Sequence, residues 1–205
     1  MACLEFILPF HQASRGRLWC TQVYDLLTPS TFRLMRSPGR IFWPLASVLV
    51  LVDCTTKRVV VATVALHADP KPLVADLVRV TLEYNPGASF STQFGPYQRW
   101  ILIGIAVAML VALARWYRDA AQAGRMAIVG LALVAGGAVG NLLDRLISNR
   151  GVVDFLDLGV GATRFFVFNV ADAGISVGAL LLLYALWQHE RAGRAGPPPV
   201  PSVDA

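Results

Sequence analysis

Residues 126–143 form a run of 18 residues without a charge, and the run ends directly at Asp144 and Arg145. A membrane-spanning helix needs about 20 largely apolar residues, so this run predicts one. A second uncharged stretch, residues 173–187, follows Asp172. An aspartate well inside a membrane helix costs roughly 3 kcal/mol or more. Acids that lie at the ends of these runs therefore mark a candidate site.

The overall composition is typical of a protein that crosses a membrane several times. Hydrophobic residues make up 56% of the 205 residues, charged residues only 15%, and the mean hydropathy is +0.56. The net charge of +5 comes from cations scattered between apolar runs, a pattern that argues against nucleic-acid binding. Three widely spaced cysteines and three distant histidines predict neither a disulfide framework nor a metal site. We expect no cofactor.

The apolar runs predict an all-α membrane protein with four transmembrane helices, near residues 41–62, 97–117, 126–145 and 169–188. Together they define a membrane domain over residues 41–190. Residues 1–40 hold no long apolar run and predict a disordered cytoplasmic extension, or a start codon assigned too early. Residues 191–205 are rich in proline and predict a disordered cytoplasmic tail.

The loop between the first two helices predicts a small β-sheet. Residues 78–84 alternate apolar and polar side chains, which is the pattern of a half-buried strand. Asn85-Pro86-Gly87 then predicts a turn. Such an amphipathic sheet would lie at the membrane surface.

Two further patterns concern contacts between helices. Gly136, Gly137 and Gly140 of the third helix predict close helix packing. Asp53 and Lys57 are four residues apart on the first helix, so they share a face and can pair. An ordinary helix end with cations that reach the interface would give the same spacing.

The distribution of cations favours cytoplasmic termini. With both ends inside, ten of the 18 Lys and Arg residues fall on inner segments, and three of the outer ones lie close to acids. The last two helices are then antiparallel neighbours, and the connection between them faces outward. Asp154 and Asp172 consequently emerge on the same side of the membrane.

This topology predicts a paired carboxylate site at the outer edge of the bilayer. Asn141, Asp144 and Arg145 share one face of the third helix, and Asn169 lies three residues before Asp172. Two adjacent carboxylates share a proton, so one can act as a base on water while the other donates to a carbonyl oxygen. The charge pattern alone leaves alternatives open: acids that cap helices and pair with Arg145 and Arg150, a proton or ion pathway, or a membrane scaffold without catalysis.

Five short segments, in this order along the chain, resemble the motifs of the lipoprotein signal peptidases, also called signal peptidase II. They are Asp53-Cys54-Thr55-Thr56-Lys57, Asn85-Pro86-Gly87-Ala88-Ser89-Phe90, Gly140-Asn141-Leu142-Leu143-Asp144-Arg145, Val152-Val153-Asp154-Phe155 and Phe168-Asn169-Val170-Ala171-Asp172. The resemblance covers about residues 41–187. Residues 1–40 have no counterpart in it.

The resemblance implies an aspartic endopeptidase with four helices in the bacterial inner membrane and an extracytoplasmic sheet between the first two. It implies cleavage of prolipoproteins just before a cysteine that carries a diacylglyceryl group. Asp154 and Asp172 match the catalytic acids. Four matching positions line the site, namely Asn85, Asn141, Arg145 and Asn169. Three others support it, namely Asp53, Lys57 and Asp144. We expect a monomer that contacts membrane lipid.

Overall fold

A computed structural model describes residues 38–87 and 95–194 of this chain, the last three by their backbone alone. Several predictions fall elsewhere. Nearly all of the predicted extension, the Ala88-Ser89-Phe90 part of the second motif and the tail beyond Arg194 lie outside the described residues.

Four long helices account for most of the described residues. They are α1 (Gly39–Thr63), α2 (Gln98–Gln122), α3 (Arg125–Ile147) and α4 (Val170–Arg194), with a 3-10 turn at Gly95–Tyr97 before α2. All four lie where the sequence predicts helices, within a few residues at most ends. Two run further than predicted: α2 continues to Gln122, and α4 takes in the first residues of the predicted tail.

Among the residues that the structure describes, three helical segments are long and apolar enough to cross a membrane. They are Gly95–Gln122, Arg125–Ile147 and Val170–Arg191. Helix α1 is as long as α2 but carries Asp53, Lys57 and Arg58 in its second half. By length and composition, α2, α3 and α4 are candidate membrane spans, whereas α1 is not.

Helix α3 lies at the centre and packs against α4, α1 and α2. Its glycines make this possible, because a Cβ on Gly137 would lie 2.4 Å from the Ala171 carbonyl oxygen of α4. A Cβ on Gly136 would lie 2.9 Å from the Ala46 carbonyl oxygen of α1. The predicted close helix contact at these glycines is confirmed. The end of α1 near Lys57, the end of α3 near Asp144 and the beginning of α4 lie together.

A four-stranded antiparallel sheet lies beside these ends. Its strands, in spatial order, are β1 (Lys71–Val74), β2 (Val78–Asn85), β3 (Val152–Val160) and β4 (Thr163–Arg164). The predicted strand at residues 78–84 is confirmed as β2. The sheet is larger than predicted, because β3 and β4 come from the connection between α3 and α4. The first four residues of β3 are all buried, so this strand lacks the alternation of a half-buried one.

The pairing of β2 with β3 carries Asp154 to the site. Asp154 lies opposite Glu83, and Asn85 lies opposite Val152. Val153 and Phe155 of β3 pack with Leu82 of β2 into an apolar cluster that includes two residues at the end of α1, Val60 and Val64. This contact fixes the sheet against the helices.

Candidate active site

A cavity of about 260 Å³ opens where the sheet meets α3 and α4. Five of the predicted site residues line it, from β2, β3, α3 and α4. The lining comprises Asn85, Asn141, Arg145, Val152, Asp154, Phe166, Val167, Asp172, Ile175 and Ser176. The structure thus brings Asp154 and Asp172 to one cavity, and the remaining four predicted residues lie behind its wall.

Two asparagine side chains connect the two acids. Asn169 Nδ2 donates to Asp154 Oδ1 at 2.6 Å and to Asn141 Oδ1 at 3.2 Å. Asn141 Nδ2 in turn donates to Asp172 Oδ1 at 2.7 Å. On the other side, Asn85 Nδ2 donates to Asp154 Oδ2 at 3.0 Å. Amide groups therefore hold both carboxylates in fixed orientations without neutralising them.

Asn169 and Asp172 also form the beginning of α4. Asn169 immediately precedes the helix, and its Oδ1 accepts the Asp172 backbone N–H at 2.9 Å. Asp172 Oδ2 reaches back to the Asn169 backbone N–H at 3.2 Å. This reciprocal pair is a capping box with an aspartate in its third helical position. The alternative that the acids cap helices is thus correct for Asp172, which carries both roles in one geometry.

The companion alternative, that the acids pair with Arg145 and Arg150, is not what the structure shows. Neither arginine forms an ion pair with any acid in the described part of the chain. The Arg150 guanidinium lies over the Tyr84 ring, 5.2 Å from its centroid. Arg145 donates to the Asn141 carbonyl oxygen at 3.1 Å, and its Nε is buried with no partner among the described residues.

Lys57 is the centre of a buried charge cluster behind the cavity. Its Nζ lies 2.7 Å from Asp53 Oδ2 and 2.9 Å from Asp144 Oδ2, and it donates to Asn141 Oδ1 at 3.0 Å. Only 3% of Lys57 and none of Asp53 is exposed. The predicted Asp53–Lys57 pair is confirmed. Because an ammonium can only donate, Lys57 also fixes the amide of Asn141 with its nitrogen towards Asp172.

The two acids of this cluster hold the backbone next to each cavity acid. Asp53 Oδ1 accepts the N–H of Ala171, the residue before Asp172, at 2.9 Å. Asp144 Oδ2 accepts the N–H of Val153 at 3.2 Å. The cluster therefore joins α1 and α3 to both chain segments that carry the paired carboxylates.

Burial changes the acidity of Asp154. Only 3% of this residue is exposed, and burial together with the Asp172 charge raises the pKa of Asp154 to about 6. The amide donors of Asn85 and Asn169 act in the opposite direction, because they favour the charged form. Asp154 therefore holds a proton under conditions in which an ordinary carboxyl is ionised.

Arg99 is a supporting residue that the sequence did not reveal. Its Nε donates to the Arg145 carbonyl oxygen at 2.6 Å, one terminal nitrogen donates to the Leu146 carbonyl oxygen at 2.9 Å, and the other contacts the Asn149 side chain. These carbonyls belong to the last turn of α3, where a cation is favourable. In the sequence, Arg99 could have been noticed as a cation that lies directly before an apolar run, on the predicted outer side.

Asp157 lies outside the site although it is close in sequence. Its Oδ1 accepts from Arg164 Nε at 2.9 Å, and it is not part of the cavity wall. Successive side chains of a strand point to opposite faces, so Asp154 and Asp157, which are three residues apart, point to opposite faces of the sheet. Within the described ranges, no group of three His, Cys, Asp or Glu residues is arranged to hold a metal ion. The cavity thus offers one coupled carboxylate pair, amide donors and an arginine.

Comparison with known proteins gives consistent matches. Residues 45–188 match the family model described as Signal peptidase (SPase) II. The chain is 35% identical over 153 residues to the lipoprotein signal peptidase of Hydrogenovibrio crunogenus, covering 72% of this chain and 87% of the relative. It is 37% identical over 170 residues to that of Burkholderia mallei, covering 78% and 98%. A solved structure described as a bacterial membrane enzyme superposes with a TM-score of 0.59 at 26% identity, over 70% of this chain and 85% of that one.

Proposed function

This chain belongs to the signal peptidase II family, and from that premise we propose that it is an aspartic endopeptidase that removes signal peptides from prolipoproteins in the membrane. The substrates carry a diacylglyceryl group on the lipobox cysteine, and cleavage falls immediately before that cysteine. Asp154 and Asp172 form the catalytic dyad. Water is the nucleophile, and no cofactor takes part.

The hydrogen-bonded link between the two acids is the observation that carries this proposal. Asn169 contacts Asp154, and Asn141 contacts both Asn169 and Asp172. The link sets two carboxylates at one cavity that is open to a substrate. A set of unrelated helix caps would not need an amide network that joins acids from a strand and a helix.

The reaction follows the chemistry of a shared proton. The ionised carboxylate accepts a proton from water as the water oxygen attacks the scissile carbonyl carbon. The other, protonated carboxyl donates to the carbonyl oxygen, which gives a tetrahedral gem-diol. As the C–N bond breaks, the carboxyl that took the proton from water passes it to the departing amine, and a hydroxyl of the gem-diol returns its proton to the other carboxylate. The pair titrates as a unit, so both protonation steps belong to the dyad rather than to one acid.

The remaining site residues position the two acids, the backbone beside them and the substrate. Asn85, Asn141 and Asn169 orient the carboxylates, and Arg145, which lines the cavity, offers its guanidinium to a carbonyl of the substrate backbone. The Lys57 cluster with Asp53 and Asp144 supports the backbone beside each acid. None of these three supports reaches the substrate in this proposal.

The apolar mouth of the cavity suits a lipidated substrate. Phe166 lines the cavity with 66% of its surface exposed, and its neighbour Phe165 is 56% exposed. A diacylglyceryl group anchors the peptide at the membrane interface through its large apolar area. The scissile bond then meets the dyad at fixed depth, which removes much of the entropic cost of positioning.

The proposed topology includes α1 as a fourth membrane span. Asp53 and Lys57 neutralise each other inside the protein, so their charges do not face lipid. Both termini lie in the cytoplasm and the active site lies at the outer face of the bacterial inner membrane, in line with the cation distribution. The enzyme acts as a monomer in contact with membrane lipid, and residues 1–40 take no part in catalysis.

A gel-shift assay on a diacylglyceryl-modified prolipoprotein tests the proposal directly. We expect purified protein to shorten the substrate, and Asp154→Asn or Asp172→Asn protein to leave it intact. A proton-coupled transporter predicts no cleavage and an activity tied to a proton gradient. A scaffold predicts that the substitutions change nothing. Cleavage by well-folded protein with either substitution would rule out this dyad.

A further inference from the structure

A second, much larger cavity lies between α1 and α2, on a different part of α3 from the active site. It measures about 730 Å³ and shares no lining residue with the active-site cavity. Its walls are almost entirely apolar and belong to three helices. They comprise Phe42, Trp43, Ala46, Ser47, Val50, Leu51, Leu110, Leu113, Ala114, Tyr117, Ala135, Gly136 and Val139. We call this cavity the α1–α2 groove.

Small side chains and one aromatic contact create the groove. Ala46, Ser47 and Ala114 leave space between the helices, and Ala120 is the only buried residue of α2. The helices meet at one end, where the rings of Phe42 and Tyr117 pack edge to face at 5.2 Å. The groove is therefore closed at the start of α1 and open along the apolar lengths of both helices.

Two cations extend the walls of the groove at its closed end. Arg40 lies three residues before Trp43 on α1, and Arg118 lies four residues after Ala114 on α2, so each continues a lining face by one turn. Both are exposed, and neither forms an ion pair with an acid among the described residues. Asp119, the nearest acid on α2, lies on another surface with Arg115 and Trp116.

We propose that the α1–α2 groove binds one anionic phospholipid of the membrane. An acyl chain lies along the apolar walls, and the phosphate lies between Arg40 and Arg118. Trp43 and Tyr117 stand at the level of the headgroup, where such amphipathic rings are enriched in membrane proteins. The site is separate from the proposed catalytic reaction and does not depend on it.

The length of the groove suits a lipid acyl chain. The lining residues of α1 run from Phe42 to Leu51, a length of about 14 Å at 1.5 Å per residue. Half of a bilayer core of roughly 30 Å is about the same length, so a chain of one leaflet fits.

The test compares two lipids that differ only in headgroup. Delipidated full-length protein in detergent is titrated with dioleoyl phosphatidylglycerol or dioleoyl phosphatidylcholine, and native mass spectrometry counts the retained lipids. We expect one phosphatidylglycerol to be retained per chain in preference to phosphatidylcholine. The double variant Arg40→Gln/Arg118→Gln should lower that preference on the order of tenfold or more, because each cation near an anionic lipid contributes about 1 kcal/mol.

Matched controls locate the site. Arg115→Gln/Arg125→Gln removes the same charge from exposed positions outside the groove and should keep the preference. Ala114→Leu fills the groove and should weaken retention of both lipids, whereas Ala112→Leu on the same helix should not.

Equal binding of the two lipids by the natural protein, or equal effects of test and control variants, would overturn the proposal. A dimer abolished by Ala114→Leu would overturn it in favour of a second copy of this chain. The charge variants decide the matter if Ala114→Leu fails to fold.

Discussion

Asp144 accepts a hydrogen bond from the backbone N–H of Val153, at 3.2 Å. An acid of α3 thereby holds the residue immediately before Asp154. Asp53 does the same for Ala171, the residue immediately before Asp172, at 2.9 Å. Lys57 joins the two supporting acids. The buried cluster is thus a clamp on two backbone positions, each one residue away from an acid of the proposed dyad.

Removing the dyad should abolish turnover without unfolding the protein. Asp154→Asn and Asp172→Asn keep the size of each side chain but cannot cycle between the ionised and protonated forms. The double variant should be scarcely less active than either single variant, because the two acids act as a unit. The measurement is cleavage of a lipidated prolipoprotein, with thermal unfolding recorded in parallel.

Two comparisons sharpen this prediction. Asp172→Asn should lose about 1 kcal/mol of stability, because the amide weakens the capping box at the start of α4. Asp157→Asn is the matched control for removing an acid from β3, and it should retain most of the activity because Asp157 bonds to Arg164 away from the cavity. Activity losses of equal size at positions 154 and 157 would contradict the assignment.

Replacing Lys57 should destabilise the protein strongly. Lys57→Met leaves Asp53 and Asp144 buried without their cation, and breaking a buried pair costs about 3–5 kcal/mol. Arg58→Met, at the adjacent exposed position, should change stability by less than about 1 kcal/mol. The double variant Lys57→Met/Asp53→Asn should recover part of the loss, as read by thermal unfolding in detergent. Unchanged stability of the single variant would show that the cluster is not held together by charge.

The raised pKa of Asp154 predicts a specific pH dependence of stability. Its pKa rises from 3.8 to about 6 on folding, so the folded protein binds this proton more tightly than the unfolded chain. The resulting stabilisation is present below about pH 4 and lost as the pH rises through about 6. Asp154→Asn lacks this pH-dependent stabilisation. Its stability relative to the natural protein should therefore rise by about 2–3 kcal/mol between pH 4 and pH 7. Parallel curves of unfolding free energy against pH would refute the shift.

Glycine at position 140 should be required for the position of Asp53. A Cβ there would lie 2.6 Å from Asp53 Oδ2, so Gly140→Ala must displace a fully buried carboxylate. We expect a loss of about 1–3 kcal/mol and reduced cleavage. Gly104→Ala is the control, since no atom lies within 4 Å of its Cβ position, and it should stabilise α2 by up to about 1 kcal/mol. Effects of the same sign at both positions would contradict the packing described here.

Arg99 should support catalysis from outside the cavity. Arg99→Gln loses charged hydrogen bonds to the end of α3, which carries Asn141 and Arg145, and should lower kcat/KM about tenfold. The pH profile should stay the same, because Arg99 does not touch the dyad. Arg99→Lys should restore part of the activity, and Arg115→Gln at the other end of α2 should be neutral. A displaced pH profile would mean that Arg99 acts on the dyad directly.

The sequence predicted those features that local spacing encodes. The Asp53–Lys57 pair and the close contacts at Gly136 and Gly137 follow from helical periodicity and residue size, and β2 follows from alternation. The amide network does not, because Asn85 and Asp154 are 69 residues apart and meet only through the pairing of β2 with β3. Strand β3 was not predicted from the sequence, because burial on both faces removes the alternation of apolar and polar residues that indicates a strand.

The position of Asp172 at the first turn of α4 has a consequence for biosynthesis. A chain that emerges from the ribosome gains Lys57 with α1 and Asp154 with β3, but it lacks one acid and the Ala171 contact of Asp53 until α4 has entered the bilayer. The cap of α4 and the link between the two acids form in the same step, because Asn169 and Asp172 take part in both. If the proposed dyad is correct, a chain without α4 therefore cannot cleave a prolipoprotein, because it lacks Asp172.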